Sequence, residues 1–89
     1  MTRKKCTIVN RLGLHARAAA KLVMLASGFN CTVELEHNNR VVNGKSIMGV
    51  MMLAANKGST VTLIADGDDE NAAIDAITKL ISNKFGEKC

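Results

Sequence analysis

A histidine and an arginine two residues apart, His15 and Arg17, open an alanine-rich segment that follows Arg11-Leu12-Gly13-Leu14. A neutral imidazole is a nitrogen nucleophile, and a guanidinium can fork onto two phosphoryl oxygens in a way an ammonium cannot. The segment reads as the first turns of a helix, whose start leaves about four backbone N–H groups unpaired and carries a partial positive charge. Such a place suits phosphate and disfavours imidazolium, which keeps the ring neutral and nucleophilic. Gly13 permits close backbone approach or a positive φ. Ala16, Ala18, Ala19 and Ala20 keep the first turns small and leave room for an incoming phosphorylated protein. Arg17 opposes the helix dipole, an unfavourable placement by a few tenths to about 1 kcal/mol, which points to a use for it. Together these residues could accept a phosphoryl group on His15 and steady it with Arg17. A lone histidine in a short chain is more often structural or merely exposed. His37, beside the Asn38-Asn39 turn with no cationic or nucleophilic neighbour, is read that way.

A second group of residues centres on Ser46. It stands at the N-cap of the apolar segment Ile47-Met48-Gly49-Val50-Met51-Met52-Leu53, where a serine contributes about 1 kcal/mol. Some of Ile47, Met48, Met51 and Met52 must be buried, yet a two-turn helix cannot bury every one. Methionine suits surfaces that meet several partners. Ile47, Met48 and Met51, with Ala16, Ala20 and Lys21, are therefore assigned to a docking patch around His15. Residues 39–46 nearly spell the phosphate-binding loop G-x-x-x-x-G-K-[ST]. The first glycine is missing and the loop follows a hairpin, which argues against nucleotide hydrolysis.

The elements that must position these groups can be read from periodicity. Residues 5–9 form a β-branched run, hence a strand, and 10–14 a loop. Over 16–27 the spacing is helical, with Ala19, Leu22, Val23 and Ala26 on one face and Arg17 and Lys21 on another. Gly28 is a natural C′ residue that Phe29 can close with an apolar contact. Residues 31–36 alternate, with Val33 and Leu35 inward; Asn38-Asn39 makes a tight turn and 40–42 return as a strand. After the short helix at 47–53 and a turn at Lys57-Gly58, residues 60–65 alternate as a fourth strand. Asp68 or Asp69 caps a last helix whose apolar stripe is Ala73, Ile74, Ile77, Leu80 and Ile81, with Lys79 and Lys84 toward its C-terminus. The order β-α-β-β-α-β-α predicts a two-layer α/β (α+β) sandwich, helices on one face of a mostly antiparallel sheet.

Eighty-nine residues suffice for one domain with one core, 1–89, and no internal repeat or linker divides them. Two phenylalanines, with no Trp or Tyr, leave the core to aliphatic residues and give no stacking platform for nucleic acid. Net charge is +4; Arg3, Lys4, Lys5 and Lys84 lie near the ends and are read as solvated tail. Arg11, Arg17, Lys21 and Lys45 instead flank the two motifs, where they favour anionic partners. Cys6, Cys31 and Cys89 show no metal-ligand spacing, and Cys6 and Cys31 read as small core hydrophobes. Neither a metal nor a cofactor is expected. No apolar run approaches the ~20 residues of a membrane span, so a cytoplasmic location is expected.

Gly13-Leu14-His15-Ala16-Arg17-Ala18-Ala19 resembles the active-site signature of the HPr family, the histidine-containing phosphocarriers of the bacterial sugar phosphotransferase system. Lys45-Ser46-Ile47-Met48-Gly49-Val50-Met51 resembles that family's second signature, and the likeness spans nearly the whole chain. It implies an open-faced sandwich of four antiparallel strands and three helices. It also implies a carrier rather than an enzyme. His15 would take a phosphoryl group on Nδ1 from phosphorylated Enzyme I, charged by phosphoenolpyruvate, and pass it to a histidine of an enzyme IIA domain, with Arg17 stabilising the group. A monomer is expected. In many relatives the residue matching Ser46 is phosphorylated by a dedicated HPr kinase/phosphorylase. Ala18 stands where many members have proline, and alanine keeps the helix with a less rigid start. The close relatives of nitrogen-type phosphotransferase systems (NPr) share the histidine motif and are the alternative; a small basic RNA-binding domain is a remote one, lacking G-x-x-G and exposed aromatics.

Overall fold

The computed structural model describes residues 1–87. Its elements run β1 (Thr2–Thr7), α1 (Ala16–Ser27), β2 (Thr32–His37), β3 (Arg40–Asn43), α2 (Ile47–Met52), β4 (Thr60–Asp66) and α3 (Glu70–Ser82), then a 3-10 turn at Lys84–Gly86. The four strands form one antiparallel sheet in the order β1-β4-β2-β3. This is the open-faced sandwich that the alternation of element types predicts, with the helices against one face of the sheet.

Alternation decides which face is covered. Val33 and Leu35 of β2, Val61, Leu63 and Ala65 of β4 and Cys6 of β1 point into the core. There they meet Ala18, Ala19, Leu22, Val23 and Ala26 of α1, Val50 of α2, and Ala73, Ile74, Ile77 and Ile81 of α3. Leu80, placed on the apolar stripe, is only partly buried at its edge. On the opposite face Ile64 is shielded between Arg3 and Glu34, its cross-strand partners, while Thr32 and Glu34 are exposed. Cys6 and Cys31 are buried thiols, as small core hydrophobes should be; Cys89 lies outside the described residues.

Three expectations are corrected. Arg3, Lys4 and Lys5 are not a tail but part of β1, in register with Ile64, Leu63 and Thr62 of β4. The strand starts three residues earlier than its β-branched run because an edge strand with one solvated face tolerates charge. Gly28 ends α1 at φ −76°, in the right-handed region, so its freedom to adopt positive φ is unused. Asp69 occupies the N-cap of α3, but its side chain does not cap the helix; it accepts the N–H groups of Asn30 and Cys31 at 2.8 and 2.9 Å. The hairpin turn, by contrast, has the positive φ that its asparagines allow, 51° at Asn38 and 64° at Asn39. His37 ends β2 half-buried, its Nδ1 3.1 Å from the Thr60 carbonyl and its backbone opposite Arg40, a cation nearer than the sequence suggests.

Candidate functional site

The loop between β1 and α1 is fixed well before it reaches the histidine. Asn10 is fully buried, and its Nδ2 donates to the Gly13 carbonyl at 2.8 Å. Gly13 adopts φ +67°, and a Cβ there would lie 2.5 Å from the Ala55 carbonyl oxygen. Leu14, buried at the position before the cap, donates its N–H to that same oxygen at 3.0 Å. His15 therefore enters as the N-cap of α1 in an extended conformation, its own carbonyl accepting the Ala19 N–H at 2.8 Å. The N–H groups of Ala16, Arg17 and Ala18 precede that first intrahelical bond and open toward the helix start.

The imidazole does not cap the helix. Its Nε2 lies 2.5 Å from Oε2 of Glu87, and its Nδ1 has no hydrogen-bond partner among the described residues. The other oxygen of Glu87 accepts Nδ2 of Asn10 at 3.1 Å. Burial pushes the Glu87 carboxyl up, but the hydrogen bonds from His15 and Asn10, with the charges of His15 and Lys21, outweigh it and hold the group below the usual carboxylate range.

Arg17 is exposed and enters no ion pair among the described residues, leaving its guanidinium available. Ala16 is exposed and Ala20 half-buried, but Ala18 and Ala19 are fully buried. Those two alanines serve helix–sheet packing, not the surface. Lys21, though exposed, is committed: its Nζ donates to the Phe85 carbonyl at 2.6 Å, and Nζ of Lys45 likewise donates to Phe29 at 2.7 Å.

Ser46 caps α2 as its position predicts, Oγ accepting the Gly49 N–H at 3.1 Å. Of that helix only Val50 is buried, with Leu53 following. Ile47, Met48, Met51 and Met52 are 43%, 71%, 40% and 59% exposed, so the expectation that some of them must enter the core is overturned. A helix of six residues has one inward position per turn, and Val50 takes it. Since α2 packs against α1, these side chains and the exposed Leu12 give the helical layer an apolar surface. Glu87 and Asn10, which contact or brace the histidine, have no local signal in the sequence; Glu87 is 72 residues from His15 along the chain.

The family model described as "PTS HPr component phosphorylation site" matches residues 2–83. The phosphocarrier protein HPr of Cupriavidus necator is 59% identical over 87 residues, covering 98% of each chain. The phosphocarrier protein NPr of Shewanella violacea is 43% identical, covering 94% of this chain and 92% of its own. Among solved structures, HPr-C-His from Thermoanaerobacter tengcongensis superposes with a TM-score of 0.96 at 47% identity, each chain covered in full. An HPr dimer from the same organism superposes at 0.79 with 48% identity, covering 98% of this chain and all of that one. Fold and likeness together define a small phosphocarrier domain, a protein that carries a phosphoryl group rather than a catalytic enzyme. The chain belongs to the HPr family, the phosphocarriers of the phosphotransferase system. Among the described residues no helix is long and apolar enough to cross a membrane.

Proposed function

We propose that His15 is the phosphoryl acceptor, taking the group on Nδ1 from phosphorylated Enzyme I and donating it to a histidine of an enzyme IIA domain. The observation that carries this reading is the asymmetry of the ring: Nε2 is engaged by Glu87, while Nδ1 has no partner among the described residues at the start of a twelve-residue helix. Arg17, two residues further on and without an ion pair among the described residues, supplies a guanidinium to fork onto phosphoryl oxygens. Ala16, Ala20 and Lys21 of α1 and Ile47, Met48 and Met51 of α2 form the docking surface, whose exposed methionines adapt to Enzyme I and to IIA domains in turn. Ser46 is the regulatory position. A phosphate from an HPr kinase/phosphorylase would place a dianion beside Ile47 and Met48 and oppose docking there. The carrier works as a monomer in the cytoplasm, passing between these partners one at a time.

Incubation with phosphoenolpyruvate and Enzyme I tests the assignment. The parent protein gains one acid-labile, alkali-stable phosphate, and His15→Ala gains none. A His15→Ala protein that relays phosphate as well as the parent would end this reading. The nitrogen-type alternative has the NPr relative in its favour, and the choice of Enzyme I homologue that phosphorylates the chain separates the two.

A further inference from the structure

We propose that Glu87 is the positioning residue of this site: its carboxylate holds the Nε2–H of His15 and thereby leaves Nδ1 as the nitrogen that takes the phosphoryl group. The inference rests on His15 being the acceptor. The carboxylate is aimed from several sides. One oxygen lies 2.5 Å from Nε2 and the other accepts Asn10, whose fully buried amide is itself tied to Gly13. Two residues earlier Phe85 is fully buried, and its carbonyl takes Nζ of Lys21. Between them the chain is turned back on itself, Gly86 N–H donating to Asn83 and Glu87 N–H to Lys84 at 3.0 and 2.9 Å. The charged group beside the carboxylate, apart from His15 itself, is Lys21 of α1, and Arg17 follows His15 by two residues on the same helix.

Held in this way, the proton need not move during transfer. Nδ1 supplies the electron pair for the new N–P bond, and the donor's P–N bond breaks with its pair left on the donor nitrogen. The ring becomes positive while keeping the proton on Nε2, and the Glu87 carboxylate balances that charge. In onward transfer the N–P pair returns to Nδ1 and the ring is released neutral, still protonated at Nε2. An imidazole free to swap tautomers would spend part of its time with Nδ1 protonated and unable to attack.

Nitrogen-15 NMR of the unphosphorylated full chain reads the tautomer directly. The parent should show the Nε2–H form with a hydrogen-bonded, slowly exchanging ring proton. Glu87→Ala should lose that signal, and Glu87→Gln, whose amide oxygen still accepts, should recover it. With Enzyme I and phosphoenolpyruvate, Glu87→Ala should lower the rate of His15 phosphorylation at saturation on the order of tenfold, as loss of a partner that orients a histidine does elsewhere, with KM unchanged and partial rescue by Glu87→Gln. A cooperative thermal melt lying above the assay temperature marks each variant as folded. An Nδ1–H tautomer in the parent, an alanine variant as fast as the parent, or a loss confined to KM would each overturn the role. Absence of phosphate on His15 in the parent would strike the acceptor assignment instead, because the tautomer is measured without phosphate.

Discussion

Gly13 decides where His15 stands. At φ +67° any side chain costs about 1–3 kcal/mol in backbone strain, and here a Cβ would also meet the Ala55 carbonyl oxygen at 2.5 Å and the Asn56 Cα at 2.9 Å. Both obstacles are backbone, so relief requires the two segments to part, and the Leu14–Ala55 hydrogen bond lies between them. Gly13→Ala should therefore lose about 2–4 kcal/mol of stability, the strain and part of that bond together. It should also phosphorylate more slowly, because the residue before the histidine shifts. Urea melts and transfer kinetics read the two effects; an alanine variant as stable as the parent would mean that the loop has a second arrangement. The glycine's part was legible in the sequence as close approach or positive φ, but Ala55 was not. Contacts across forty residues leave no periodic trace.

At the scale of elements, legibility followed the patterns that burial writes into the chain. α1 carries its inward stripe at helical spacing and was placed to the residue, and β2 and β4 were placed to within one residue. β1 spans Thr2–Thr7 where the β-branched run over 5–9 predicts a strand, because Arg3 and Lys4 carry no apolar alternation although their backbone is laddered to β4. The 3-10 turn has no counterpart in the sequence pattern. Its positive φ values at Lys84 and Phe85 have no glycine to announce them, and tertiary burial of Phe85 holds the chain there. α2 is the element whose stability is most local, since six residues with a single buried side chain depend heavily on their cap. Ser46→Ala should cost about 1 kcal/mol, lowering the melting temperature by roughly 4–8 °C in a domain of this size. Ser46→Asp keeps a capping oxygen and should melt near the parent, yet accept phosphate from Enzyme I more slowly because a charge has entered the apolar docking surface. A slow transfer accompanied by a low melting temperature in the aspartate variant would point to unfolding of α2, not to repulsion at the interface.

Across the whole molecule three carboxylates join segments that are distant along the chain. Asp69 ties the start of α3 to the start of β2 through Asn30 and Cys31. Glu70 ties α3 to β1 through the Thr2 hydroxyl and also accepts the Gly67 N–H. Glu87 ties the end of the described chain to Asn10 and His15. Each is held below its usual range. For Asp69 the Asn30 N–H is the main cause; for Glu70 it is the Thr2 hydroxyl. For Glu87, burial acts upward and is outweighed by the bonds from His15 and Asn10. Because native partners favour the charged forms, the unfolded chain binds more protons than the folded one between the two pKa values. These carboxylates thus contribute fully above their ordinary values, 3.8 for Asp and 4.5 for Glu, and lose that contribution as pH falls through the lower folded values. Melting temperature should accordingly drop as pH is lowered below about 4.5. Asp69→Asn should melt below the parent at neutral pH, with the gap closing as acid protonates the parent's own Asp69. A gap of constant size down to the foot of the acid transition would show that Asp69 acts through packing alone and that its charge does not hold α3 to β2.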